Sequence, residues 1–316
     1  MRTRICSAVI AAACAAGICA AQDPAKGMTL AQEKTQLLAA LDGTPVLRYR
    51  FAEVPFKPYV QELYTPDGVN ILRDAPSDHL HHHALMYAMN VNGIDFWGEA
   101  AGAGTQAHRA FVSTSADGAA RARFQETLAW IDPATTKAVL DETRTITVLR
   151  PEALRATIVS WVSEFSVPEG ATQAALSGSH YHGLGMRFAV SMDSGGEFRN
   201  SAGTRGEVYR GEERLAPADW CAYTAKAGDK VVTAAMFGLP RNVRSPTLWF
   251  IMSAPFAYLS ATMGLYKEPL TIERGKPLVL TYGVAVWDGR PDDATIAMTY
   301  ARWVARMQRA AADDRK

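Results

Sequence analysis

The chain predicts a mostly β protein, a large antiparallel sandwich of two packed sheets. Three observations lead there. Short segments rich in β-branched and aromatic residues follow one another from Val46 to Trp287. Turn residues punctuate them. No regular alternation of strand and helix patterns occurs, although a parallel α/β sheet would require one.

The strand series begins with Val46–Phe51 and continues with Val60–Tyr64, Leu85–Val91, Arg121–Ile131, Val139–Leu149 and Arg155–Val167. Thr143, Thr145 and Thr147 alternate with Arg144, Ile146 and Val148, the period of a half-buried strand. Later strands are expected at Leu184–Val190, Lys230–Phe237, Leu248–Met252, Phe256–Ser260, Leu270–Glu273 and Leu278–Trp287. Pro66-Asp67-Gly68, Pro168-Glu169-Gly170, Ser194-Gly195-Gly196 and Arg274-Gly275 supply turns, and Asn92-Gly93 between apolar runs is a hairpin signal.

Helices are expected only at the two ends. Leu30, Leu37, Leu38 and Leu41 recur at helical spacing, and Asp42-Gly43 follows, so Thr29–Leu41 reads as an amphipathic helix within an N-terminal segment, 22–44. Asp292 or Asp293 can cap a final helix in the segment 291–316, with Ile296, Tyr300, Trp303, Val304 and Met307 as its apolar stripe. The sandwich is expected to occupy 45–290.

The first 21 residues read as a secretory signal peptide. Arg2 and Arg4 precede an apolar run from Ile5 to Ile18, and Cys19-Ala20-Ala21 ends it with small side chains. The run is shorter than the roughly 20 residues that span a bilayer, so no membrane span is expected in the mature chain. Cys14 and Cys19 lack a Leu three positions earlier, which argues against a lipid anchor. The expected location is periplasmic or secreted. Without Arg2 and Arg4, 31 of the 33 basic residues remain against 32 acidic ones, which leaves no electrostatic footprint for nucleic acid or an anionic membrane. Of four cysteines only Cys221 lies beyond the signal, so no internal disulfide is expected there.

Chemistry concentrates in two histidine runs. In Asp78-His79-Leu80-His81-His82-His83, an extended backbone would put His79, His81 and His83 on one face and His82 with Asp78 on the other. His180 and His182 form the second run, with Arg187 beyond it. Imidazoles titrate near neutrality, so such groups serve proton transfer, ligand binding or a metal; a hydrogen-bonded structural network is the alternative. The divalent metal is a possibility that the spacing leaves open. An imidazole from each run, facing across one substrate, would give the acid and base that epimerisation or elimination needs. Asp78, Asp95 and Asp219 are candidates to orient these groups or bind hydroxyls. Tyr59, Trp97 and Trp220 can stack on a sugar ring, and Arg73 and Arg187 can grip a carboxylate. Phosphate-binding, dinucleotide-binding and Gly-x-Ser-x-Gly patterns are absent from the sequence.

Several of these segments carry a resemblance. Lys57-Pro58-Tyr59, Thr65-Pro66-Asp67-Gly68, Asp78-His79-Leu80-His81-His82 and Val91-Asn92-Gly93-Ile94-Asp95-Phe96-Trp97 resemble the PmoA-like family, also labelled DUF6807. The likeness continues through Gly178–Arg187, Asp219–Tyr223 and Leu278–Gly289, and covers most of 45–290. Leu80 stands where that family usually has Pro, and Gly238-Leu239 where relatives usually carry Asp-His. The family is in turn similar to galactose-mutarotase-type sandwiches, a group of epimerases, lyases and glycoside-processing domains. The resemblance therefore implies an exported carbohydrate-active enzyme, a hydrolase, lyase or epimerase, acting on a sugar or oligosaccharide through His79, His81, His82, His180 and His182. A non-catalytic sugar-binding protein and a metal-dependent hydrolase or lyase are the alternatives.

Overall fold

Asn92 and Gly93 both adopt positive φ, 52° and 82°, and close a two-residue hairpin in which Val91 pairs with Ile94. This is the turn that an Asn-Gly pair favours. The same grammar of alternation and turns recurs along the computed structural model, which describes residues 26–205 and 215–313. The signal-peptide segment lies outside the described residues.

In chain order the first strands are β1 (Met28–Gln32), β2 (Gln36–Leu41), β3 (Thr44–Arg50), β4 (Tyr59–Leu63), β5 (Leu85–Ala88), β6 (Asn90–Val91) and β7 (Ile94–Asp95). Long strands follow: β8 (Thr105–Ala116), β9 (Arg121–Ile131), β10 (Ala138–Leu149) and β11 (Thr157–Ser166). Then come β12 (Gln173–Ser177), β13 (Gly183–Arg187), β14 (Glu197–Asn200), β15 (Leu215–Pro217), β16 (Trp220–Ala227) and β17 (Lys230–Gly238). The last are β18 (Leu248–Met252), β19 (Tyr258–Thr262), β20 (Leu270–Glu273) and β21 (Leu278–Asp288), before helix α1 (Asp293–Asp313).

These strands build a nine-stranded sheet in the order β1-β2-β3-β4-β5-β13-β19-β18-β15 and an eight-stranded sheet in the order β14-β16-β17-β21-β11-β10-β9-β8. A small sheet, β20-β12-β6-β7, completes the set, and the named strand pairs are all antiparallel. The fold is the expected antiparallel sandwich with a C-terminal helix. Alternation explains how the layers meet. In β10, Leu140, Glu142, Arg144, Ile146 and Val148 turn inward while the threonines between them turn out. One apolar core joins the inner faces, with Tyr49, Leu85, Leu184, Met186, Trp130 and Trp161 among its members.

A second apolar cluster lies on the outer face of the eight-stranded sheet. Ile296 and Trp303 of α1 cover Ile158, Trp220, Phe237 and Trp287 there, and the Trp303 indole donates to Ser160 Oγ at 2.9 Å. The helix thus docks through the stripe its sequence displays.

One expectation is corrected. Thr29–Leu41 is not a helix but most of the hairpin β1–β2, in register from Met28 opposite Leu41 to Gln32 opposite Leu37. Leu37 and Ala39 bury, and their neighbours are more exposed, at strand period. The nine-stranded sheet therefore begins well before residue 45.

Candidate functional site

The two histidine runs are turns, not strands. His79 donates its backbone N–H to Pro76 and His82 donates to His79, which folds the first run back on itself. His182 likewise donates to Ser179. Each turn feeds a strand, the first β5 and the second β13. These strands pair antiparallel, Leu85 opposite Met186 and Ala88 opposite Gly183. The turns therefore enter from opposite ends of one strand pair and arch toward each other over the outer face of the nine-stranded sheet.

Three neighbouring strands pave the ground between them. Gly185 and Arg187 of β13, Tyr258 and Ser260 of β19, and Phe250 and Met252 of β18 alternate with residues such as Leu184, Met186 and Leu259. A cavity of about 340 Å³ opens here, lined by His79, His81, His82 and His180 and by the rings of Trp97, Tyr181, Phe250, Phe256 and Tyr258, with Met252. Its walls are ring upon ring. His79 stacks on His82 at 4.7 Å, His82 on Tyr258 at 5.2 Å, and Trp97 lies nearly parallel to His182 at 4.8 Å. Gly185 permits the floor: a Cβ there would come within 1.7 Å of the Tyr258 hydroxyl.

Burial sets the charge of this site. It pushes His82 down to about 2 and His182 down to about 4, and it also lowers His81. These imidazoles are neutral near pH 7, each with one donor and one acceptor nitrogen. His82 Nδ1, His182 Nδ1, the Trp97 indole N–H and the Tyr258 hydroxyl are buried without a hydrogen-bond partner. Such clustering of unpaired polar atoms is unusual in a folded interior and singles out this layer.

The structure brings together only part of the sequence-derived set. His79, His81, His82, His180 and Trp97 line the cavity, and His182 stands directly behind Trp97. His83 turns away from His79 and His81, contrary to the extended reading, because the backbone folds at Asp78–His82. Asp95 accepts from the backbone of Trp97 at 2.7 Å and of Gly98 at 3.1 Å, which holds the Trp97 loop rather than a histidine. Arg187 is buried with its guanidinium 3.5 Å from the Phe256 ring centre, and it reaches Asp78 at 3.3 Å. Arg73 pairs with Asp193 at 3.4 Å and Tyr59 donates to Asp74, and neither Arg73 nor Tyr59 lines the cavity.

Asp219 and Trp220 are removed from the site altogether. Trp220 begins β16 of the other sheet and packs under α1, while Asp219 is exposed beside it. Their place next to a family-like motif gave no information about which sheet they join. Phe250, Met252, Phe256 and Tyr258 were missed in turn. They lie within apolar strands or loops, and only the β13–β19–β18 pairing brings them to the histidines.

The geometry defines an antiparallel sandwich with one aromatic, histidine-lined cavity on its nine-stranded face. By sequence the chain belongs to the family of unknown function DUF6807, matched over residues 36–301. No curated protein matches it. Among solved structures it is similar to the α-galactosidase from Lactobacillus brevis, with TM-score 0.47 and 7% identity over 84% of this chain and 40% of that one. It is also similar to the GH36 α-galactosidase AgaA from Geobacillus stearothermophilus, with TM-score 0.43 and 8% identity over 83% and 40%. A galactose mutarotase-like protein from Lactobacillus casei ATCC 334 gives 0.42 and 10% identity over 82% of this chain and 100% of its own. The chain thus spans two-fifths of the length of these α-galactosidases.

Proposed function

We propose that the protein is a carbohydrate-active enzyme that holds one or two sugar rings in this cavity and moves protons on them with its imidazoles. The observation that carries the proposal is the convergence of His79, His81 and His82 with His180 on a single aromatic-lined cavity. The cavity volume lies at the small end of ligand sites. Aromatic faces suit the C–H face of a pyranose, and a neutral imidazole matches a hydroxyl, which also both donates and accepts.

The two turns bring imidazoles from separate segments, His79–His82 and His180, to the same cavity. A base on one side and an acid on the other is the arrangement for epimerisation, mutarotation or β-elimination. In this reading His81, neutral and half-buried, is the base and His180 the acid. Among the described residues no Asp or Glu lines the cavity, so a two-carboxylate hydrolysis is disfavoured. Among the described residues, no three or more His, Cys, Asp or Glu side chains are close enough together to hold a metal ion. We place the enzyme in the periplasm or outside the cell, on the strength of the Arg2–Ala21 pattern.

A binding-only role is the second reading. It is favoured by His82 and His182, whose pKa values burial lowers well below 7, and by Gly238-Leu239 in place of the family's Asp-His. One experiment separates the two. The full chain is incubated with neutral sugars and uronates in deuterium oxide, and C–H exchange and product are followed by NMR. Exchange that disappears in His81→Ala and in His180→Ala, with the fold intact by circular dichroism, supports proton transfer. Saturable binding without exchange selects the second reading, and absence of binding refutes both.

A further inference from the structure

Behind the Trp97 wall lies a set of charged groups that the proposed proton transfer does not use. The Lys57 side chain is fully buried, and its ammonium donates to Glu99 Oε1 at 2.7 Å and to the Trp97 carbonyl at 3.2 Å. The same Glu99 oxygen lies 2.8 Å from His83 Nε2, and His83 Nδ1 lies 2.8 Å from Asp74 Oδ1. The other Asp74 oxygen accepts from the Tyr59 hydroxyl at 2.7 Å and from Gln61 at 2.8 Å. The chain is unbroken from the Trp97 backbone to β4.

His83 has a carboxylate on each ring nitrogen. Only the imidazolium, with two N–H donors, satisfies both. Burial opposes that charge, but the hydrogen bonds its ring donates to Asp74 and Glu99 outweigh it and raise its proton affinity. Lys57 and His83 then balance Glu99 and Asp74. Burying the two cations against two partly exposed carboxylates is costly compared with apolar packing, and such sets persist where they specify one arrangement.

That arrangement spans both halves of the cavity wall. One end fastens Trp97, which stacks on His182. The middle fastens His83, the residue directly after His81 and His82, and the Asp74–His83 backbone bridge closes the same loop. We propose that Lys57, Glu99, His83 and Asp74 are the positioning network of the cavity, setting His81 and His82 against Trp97 without touching the ligand. The proposal rests on the cavity being the binding site.

The test uses the full chain and Glu99→Gln, which keeps shape and removes charge. Nitrogen-edited NMR of the imidazoles at pH 7.5, without ligand, is the first readout. The wild type should show both His83 nitrogens protonated beside a neutral His81 and His82. Glu99→Gln should lose the second His83 proton and shift the ring signals of His81, His82 and Trp97. Affinity for D-glucose, D-galactose or D-galacturonate, whichever the wild type binds, should fall at least tenfold. The double variant Lys57→Met/Glu99→Gln should be no worse than the worse single one, because the groups act as a unit. Unchanged His81, His82 and Trp97 signals, with affinity within twofold, would overturn the proposal. If the wild type binds none of these sugars, the carbohydrate reading falls and the NMR arm alone decides this one. Should Glu99→Gln fail to fold, Asp74→Asn carries the same readouts.

Discussion

Gly185→Ala is the sharpest probe of how the cavity floor is built. Gly185 sits in the middle of β13 with ordinary backbone angles, so alanine brings no conformational penalty of its own. The new methyl would instead stand 1.7 Å from the Tyr258 hydroxyl, 2.7 Å from its Cζ and 3.1 Å from the far edge of Trp97. The first contact is half of an ordinary van der Waals separation or less. Tyr258 cannot simply retreat, because His82 stacks on it at 5.2 Å. Overpacking of this kind costs about 1–3 kcal/mol. With a urea slope near 3 kcal/mol/M, the midpoint should fall by about 0.3–1 M. Tyr258→Phe removes the nearest clashing atom together with a buried, unpartnered hydroxyl, so alone it should be neutral or up to about 1 kcal/mol stabilising. Combined with Gly185→Ala it should recover part of the loss, since Cζ stays close. Urea unfolding of the four proteins gives the coupling, expected at about 0.5–3 kcal/mol. Strict additivity would refute this account of the floor.

Two further predictions concern charge. The unfolded chain takes up protons at His182 below pH 6.5, whereas burial delays uptake in the folded state to about pH 4. Stability should therefore fall as pH drops from 6.5 toward 4, by up to about 1.4 kcal/mol per pH unit from this group. His182→Gln should flatten the slope of urea stability between pH 7 and 5; an unchanged slope would contradict the burial argument. Arg144 is wholly buried, pairs with Glu142 at 2.8 Å and donates to the Tyr49 hydroxyl, the Pro58 carbonyl and Gln106. Arg144→Leu leaves Glu142 uncompensated and should cost about 3–5 kcal/mol in the same assay; a loss below about 1 kcal/mol would show the pair to be dispensable.

Strands β9 and β10 were legible because their neighbours enforce a period of two, whereas β8, β12, β14 and β16 were not anticipated. The stretch from Arg121 to Leu149 alternates cleanly, and β9 and β10 follow it almost residue for residue. The leucines of Thr29–Leu41 fit a helical spacing over so short a span, and only pairing with β3 selects the hairpin. Local pattern could not choose between them. For the site, the sequence revealed residue types but not directions. Consecutive histidines say nothing about where a chain turns, and the turn at Asp78–His82 decides that His82 meets Tyr258 while His83 meets Asp74 and Glu99. Trp220 shows the converse: a suggestive neighbourhood in sequence, carried to the opposite sheet by β16.

The position of β21 has a consequence for biogenesis. It is the last strand among the described residues, yet it lies between β17 and β11 in the interior of the eight-stranded sheet, pairing Val232–Gly238 on one side and Thr157–Phe165 on the other. Until Leu278–Asp288 has left the ribosome, β14-β16-β17 and β11-β10-β9-β8 are separate ribbons with facing open edges. Such edges pair with other chains when exposed. A chain of this topology can close the eight-stranded sheet only through these sequence-distant contacts, after Leu278–Asp288 has emerged. A truncation before residue 278 should therefore leave both edges open and give aggregates rather than a smaller sandwich.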